Sequence, residues 1–211
     1  MIASEKKNKT VKYIIIHYTG MINFNSAYRK LNDLNSKVSC HYLISREGKI
    51  YSLLCPKLKG WHAGISEWKN IKNLNDYSIG IELENKGHEY GYTSFTNNQY
   101  DEIEKLIKFL KFNFYIKDND IIFHSDIAPN RKKDPGEKFL INKLKIKRFK
   151  SHQKRNASID ELLKLYGFSH NYIKLYKSDC IKAVKRSLNY KTIDSSISKK
   201  FKIKFNNLLF K

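Results

Sequence analysis

Ile121-Ile-Phe-His-Ser-Asp-Ile-Ala-Pro-Asn-Arg-Lys-Lys-Asp-Pro-Gly136 gathers metal-capable and catalytic side chains more densely than any other run of the chain. It opens on Ile121, Ile122 and Phe123, a β-branched and aromatic triplet that reads as the end of a buried strand. His124 sits where that strand stops. Pro129 and Asn130 then forbid a regular element, and Asp134-Pro135-Gly136 predicts a turn directly after a carboxylate. A histidine at a strand end and an aspartate ten positions later on a rigid turn can point at one spot, which a metal ion needs.

An open zinc site takes three protein ligands, so a third is expected at another strand end. His17 fits, because Val11-Lys-Tyr-Ile-Ile-Ile16 reads as a central strand and Gly20 ends the element soon after. Two imidazoles and one carboxylate would leave a fourth, tetrahedral position for water. The competing reading makes His17 and His124 core histidines bonded to backbone. Two histidines in matching strand-end settings with Asp134 nearby favour the metal.

Outward from these strands, Asn23 to Lys37 carries Ala27, Leu31 and Leu34 at helical spacing. Ser39 to Ser45 and Lys49 to Leu54 predict a hairpin turning at Gly48. Ser78-Ile-Gly-Ile-Glu-Leu-Glu84 alternates, placing Ile79, Ile81 and Leu83 on one face and Gly80, Glu82 and Glu84 on the other. Glu82 is therefore a mid-strand acid, which suits a polar cleft. Thr96 to Phe114 reads as an amphipathic helix capped by Thr96. Trp61-His62-Ala63-Gly64 reads as a cleft wall, with Trp61 in the core, His62 toward substrate, and Ala63 and Gly64 small enough for close approach. His41 lies on a strand near the site, where substrate contact and a structural role are both open.

The words Ile16-His17-Tyr18-Thr19, Val38-Ser-Cys-His41-Tyr42-Leu43-Ile44 with Gly48, Trp61-His62-Ala63-Gly64, Tyr77-Ser-Ile-Gly-Ile-Glu82-Leu-Glu84 and the opening stretch occur in order between Val11 and Phe139. Together the chain resembles the zinc-dependent N-acetylmuramoyl-L-alanine amidases, a family that includes phage lysozyme-type amidases and peptidoglycan recognition proteins. The resemblance implies an α/β fold, a mixed central β-sheet flanked by helices. It implies one Zn2+ on His17, His124 and Asp134, and hydrolysis of the amide between the lactyl group of muramic acid and L-alanine. Aspartate as third ligand is similar to the bacterial branch that recycles anhydro-muropeptides. Glu82 matches that branch's general base and Lys132 its oxyanion-stabilising lysine. Arg131 and Lys133 are then candidates for the carboxylates of a peptide stem. Cys40 stands where phage-type enzymes carry a catalytic tyrosine, so that role does not transfer.

Other chemistries fit less well. His124, Ser125 and Asp126 are consecutive, so their side chains diverge and cannot form a serine-hydrolase relay. Cys40-His41 fails likewise as a thiolate pair, and there is no glycine-rich phosphate loop.

The chain has 211 residues and a net charge of +21. Residues 138–211 hold 20 basic and 4 acidic side chains, net +16, against net +5 for the remainder. The expected division is a zinc amidase region at 1–142, a basic linker at 143–157, and a small C-terminal helical domain at 158–211. That last region has a capping box at Ser158 and Glu161, a stop at Gly167, and later helices through Cys180, Ile181, Val184 and Leu188 and through Phe201, Ile203, Phe205 and Leu208. Such a module attracts polyanions, with peptidoglycan or muropeptides as the expected partner and no specific nucleic acid partner. A non-catalytic peptidoglycan-fragment or polyanion binder is the alternative. Cys40, Cys55 and Cys180 form no disulfide framework, and no transmembrane segment or export signal is legible. A cytoplasmic protein is expected, with the periplasm as alternative.

Overall fold

The computed structural model describes residues 10–33, 35–146, 148–149 and 157–210. Its elements are β1 (Tyr13–Tyr18), α1 (Phe24–Asn32), β2 (Tyr42–Ile44), β3 (Ile50–Ser52), β4 (Glu67–Trp68), β5 (Ile71–Lys72), β6 (Ser78–Leu83), α2 (Gly87–Tyr90), α3 (Asn97–Phe114), β7 (Ile121–Phe123), α4 (His124–Ile127), α5 (Ile159–Tyr166), α6 (His170–Ser187) and α7 (Lys199–Leu209). Among the described residues, one sheet runs in the order β3-β2-β6-β1-β7 and β4-β5 form a separate small ribbon. Only the β2-β3 hairpin is antiparallel in the larger sheet, so the mixed sheet is as expected.

β1 is central because it can be buried on both faces. Tyr13, Ile14, Ile15 and Ile16 are all buried, the pattern of a parallel strand covered on either side. Ile14 and Ile16 join Ile79, Ile81 and Leu83 of β6 and Ile121 and Phe123 of β7 against Ile103, Ile107 and Leu110 of α3. Tyr13 and Ile15 face the other way with Ile122. α3 starts where expected: Thr96 Oγ1 accepts from Gln99 N at 3.1 Å, and Gln99 Oε1 accepts from Thr96 N at 3.1 Å.

The opposite sheet face is covered by the C-terminal helices. Leu162, Leu163, Tyr166, Ile181, Val184, Phe201, Phe205 and Leu209 share one core with Tyr13, Ile15, Ile122, Trp68 and Leu74. Trp68 is fully buried, with its ring edge-on to Tyr166 and Phe168 at centroid distances of 5.4 and 5.7 Å. Gly167 permits this approach, since a Cβ there would lie 2.4 Å from Trp68 Cζ2. Burying a side chain of this kind contributes roughly 1.5–3 kcal/mol, so the shared core holds the helices firmly.

Some expectations shift. α1 buries Ala27 and Leu31 and ends at Asn32; Leu34 lies outside the described residues, as do 147 and 150–156 of the basic linker. In α7 the buried stripe is Phe201, Phe205 and Leu209, while Ile203 is exposed. Spacing of four residues brings these three onto one face, whereas Phe201 and Ile203 cannot share it. No described helix is long and apolar enough to cross a membrane.

Candidate metal centre and active site

The site is built at the carboxyl ends of three adjacent parallel strands. In register, His17 of β1 lies beside Glu82 of β6, and Ile16 pairs with Phe123 of β7, so His124 follows at the same level. All three side chains leave the sheet on the face opposite α3, because their neighbours Ile16, Ile81 and Phe123 point into the α3 core. Asp134 comes from the following loop, whose carbonyl accepts from Ser125 N at 2.9 Å and so closes it.

His17 Nδ1, His124 Nδ1 and Asp134 Oδ2 converge, at 2.9 Å between the two nitrogens and 3.0 Å from each nitrogen to the carboxylate oxygen. The far nitrogens are already engaged: His124 Nε2 lies 3.2 Å from Ala63 O, and His17 Nε2 lies 3.0 Å from His62 Nδ1. A carbonyl can only accept, so Nε2 is the His124 nitrogen that donates there, and Nδ1 is the one that faces the cluster. Burial drives His17 down to about 4, with His124 adding to the fall, so its ring is neutral at pH 7. Burial alone would raise Asp134, but His124 and His17 outweigh it and hold the carboxyl well below its usual range. A neutral His17 imidazole and an ionised Asp134 carboxylate are protonation states a metal requires. This donor set fits a divalent cation.

Glu82 stands beside this cluster. Its Oε2 is shielded from solvent and has no hydrogen-bond partner among the described residues. Burial and the like charge of Asp134 push its pKa well above 4.5, and Lys132 partly opposes them. Glu82, His124, Asp134 and Lys132 line a cleft of about 560 Å³, whose rim adds Lys30, Lys86 and Lys133.

The expected substrate contacts fare differently. His41 does not reach the cleft: it is fully buried, its Nδ1 accepts from Gly80 N at 2.9 Å and its Nε2 bonds Leu58 O at 2.9 Å. It stands directly before β2 rather than on a strand, and nothing in the sequence told its depth. Ala63 is likewise fully buried, and it is its carbonyl that matters, accepting from Arg131 Nη2 at 2.6 Å. Arg131 spends its guanidinium on that carbonyl and on Ile65 O at 2.6 Å, strapping the 61–65 loop rather than waiting for a carboxylate. His62 borders the cleft, yet it is only 9% exposed and its ring nitrogens meet His17 and, at 3.4 Å, Ser78 Oγ. Trp61, read as core, is 42% exposed at the cleft with the Lys59 ammonium 4.8 Å from its ring centre. Sequence reasoning missed a second cleft cluster: Tyr18 OH lies 2.9 Å from His88 Nδ1, and His88 Nε2 lies 3.2 Å from the Glu137 carboxylate. Its three members are far apart in sequence, so no local pattern announces them.

With this geometry in place, a family model described as N-acetylmuramoyl-L-alanine amidase matches residues 7–137. The chain belongs to that amidase family. It is 37% identical over 141 residues to the N-acetylmuramoyl-L-alanine amidase AmiD of Escherichia coli, a match covering 61% of this chain and 50% of that protein. It is 34% identical over 122 residues to the 1,6-anhydro-N-acetylmuramyl-L-alanine amidase AmpD of Citrobacter freundii, covering 58% and 63%. The match thus spans about half to two thirds of these relatives' length. Among solved structures, the chain resembles Escherichia coli AmiD in complex with the substrate anhydro-N-acetylmuramic acid-L-Ala-D-gamma-Glu-L-Lys, with a TM-score of 0.79, 26% identity, and coverage of 99% of this chain and 91% of that one. A Pseudomonas aeruginosa AmpDh3 structure shares the fold, with a TM-score of 0.81 at 22% identity, covering 99% and 94%. The amidase fold expected from the sequence is the fold observed.

Proposed function

We propose that this amidase hydrolyses the bond between the lactyl carbonyl of an N-acetylmuramoyl group and the nitrogen of L-alanine, in muropeptides whose sugar is the 1,6-anhydro form. The observation that carries the proposal is the inward convergence of His17 Nδ1, His124 Nδ1 and Asp134 Oδ2 beside the unpartnered Glu82 Oε2. His17, His124 and Asp134 would hold one Zn2+. When bound, zinc supplies Lewis acidity, polarising a carbonyl and bringing the pKa of water from ~16 towards ~7.

Glu82 is the base in this scheme. It takes a proton from the attacking water as the C–O bond forms and delivers it to the alanine nitrogen as the C–N bond breaks. The products are a lactyl carboxylate and a free α-amine, so protons balance over the cycle. The Lys132 ammonium, on the cleft wall, stabilises the negative charge that builds on the carbonyl oxygen. A rim carrying Lys30, Lys86 and Lys133 suits the carboxylates of a peptide stem.

The same proposal assigns residues 1–142 to the zinc amidase region, 143–157 to a basic connection and 158–211 to a basic helical region that favours wall polymer. Cys40, Cys55 and Cys180 are unbridged thiols, which supports action in the cytoplasm. Incubation with an anhydro-muropeptide should release the stem peptide, detected by mass spectrometry, and a chelator should stop the release. Binding without release, at full zinc occupancy, would instead support the non-catalytic reading.

A further inference from the structure

The loop at residues 61–64 was read as a cleft wall, but its hydrogen bonds lead inward. His62 supplies Nδ1 to His17 Nε2 at 3.0 Å, and Ala63 supplies its carbonyl to His124 Nε2 at 3.2 Å. One dipeptide therefore meets the outer nitrogen of both histidines in the metal group. Each bond fixes a ring's rotation and the direction of the lone pair on its inner nitrogen.

What fixes the dipeptide is Asn75. Its Oδ1 accepts from His62 N at 3.1 Å and from Ala63 N at 2.7 Å, and the residue is only 7% exposed. The His62 arm ends on the same turn. His62 Nε2 lies 3.4 Å from Ser78 Oγ, and that hydroxyl donates to Leu74 O at 2.6 Å. Since the Ser78 proton goes to Leu74, Ser78 Oγ can accept from His62 Nε2–H, which leaves His62 Nδ1 to accept from His17 Nε2–H. The His62 ring packs directly on Gly80, where an added Cβ would lie 2.5 Å from its Cγ, so a side chain at that position would displace the ring. Leu74–Asp76 form a single turn directly before β6, the strand that carries Glu82. The ligand rings and the base are thus referenced to one short segment.

We propose that Asn75 is a positioning residue of the metal centre: by accepting both the His62 and Ala63 N–H groups, its carboxamide oxygen sets the dipeptide that orients His17 and His124. The inference rests on the reading of His17, His124 and Asp134 as a zinc site, and deepens it.

The test uses the full-length chain, stripped of metal, as wild type, Asn75→Leu and Asn75→Asp. Zinc affinity is measured by competition with a chromogenic chelator, and ring orientation through the visible bands of the Co2+-loaded protein. Asn75→Leu should bind zinc about 10- to 100-fold more weakly and shift the cobalt bands, whereas Asn75→Asp, which keeps an acceptor oxygen, should restore both. Circular dichroism confirms that each variant is folded. Folded Asn75→Leu with wild-type affinity and bands would overturn the proposal while leaving the zinc site standing. If Asn75→Leu does not fold, His62→Phe cuts the arm to His17 alone, and unchanged affinity and bands there overturn it equally. Wild-type protein that binds neither ion defeats the zinc reading itself, and this inference with it.

Discussion

Glu82, the proposed base, has a buried carboxylate oxygen from which its surroundings withhold a partner. Replacing it with glutamine should leave zinc content unchanged and lower turnover by about 10²- to 10⁴-fold, read by muropeptide hydrolysis alongside elemental analysis. With Glu82 as the proposed base, its ionised form is needed for attack, so activity should fall as pH drops through its raised pKa. Lys132 opposes that rise, and Lys132→Met should therefore move the acidic limb of the kcat/KM profile to higher pH while costing about 10²- to 10³-fold in rate. An acidic limb that stays in place would mean Lys132 does not sense the Glu82 charge. At this scale the sequence was informative where alternation or a strand end fixes direction, as for His17, Glu82 and His124. It left His41 open and misplaced Arg131, because residue type and loop position say nothing about which carbonyls lie within reach of a side chain. Asn75 left no trace, being one polar residue in a polar loop whose bonds reach back 12 and 13 residues to Ala63 and His62.

Elements supply the precision that residues use. β6, β1 and β7 are parallel neighbours, so their ends present Glu82, His17 and His124 at one level without help from long loops. The hairpin and α3 were legible because turn chemistry, a cap and a full amphipathic period agreed with one another. In α7 the stripe was read with one residue too many, since Phe201, Phe205 and Leu208 meet the core while Ile203 turns to solvent. β4 and β5, two residues each, are too short to show any period. Gly167 is a test of how the helices meet the ribbon. Its φ of +143° and the contact its Cβ would make with Trp68 predict that Gly167→Ala lowers stability by about 1–3 kcal/mol, measured by urea unfolding.

Across the whole molecule, the composition break near residue 138 is real in charge but does not divide the core. The helices that carry the excess lysine bury Phe201, Phe205 and Leu209 with Tyr13 and Ile15 of β1. A buried ion pair joins the two parts as well: Arg148 Nη2 donates to Asp126 Oδ2 at 2.8 Å, and Tyr166 OH donates to Asp126 Oδ1 at 2.7 Å. Arg148→Met should cost about 3–5 kcal/mol, because it leaves the buried Asp126 carboxyl without its cation. Acid should act on the whole fold through its buried histidines. His41, held down by burial to about 4 from 6.5, binds its proton more readily unfolded. Stability is then full above pH 6.5 and falls as pH drops towards 4, by about 3 kcal/mol for His41 alone. A melting temperature that is flat across that window would contradict its neutral, buried state.

Asp126 sits in α4, two residues after His124, so the Arg148 and Tyr166 anchors grip the very turn that aims the His124 ring. A protein engineer who wished to exchange the basic helices for another module would therefore be removing a bracket from the turn that carries His124. Any graft would have to bring its own cation and phenol to that aspartate, and its own greasy lid for the exposed side of the sheet.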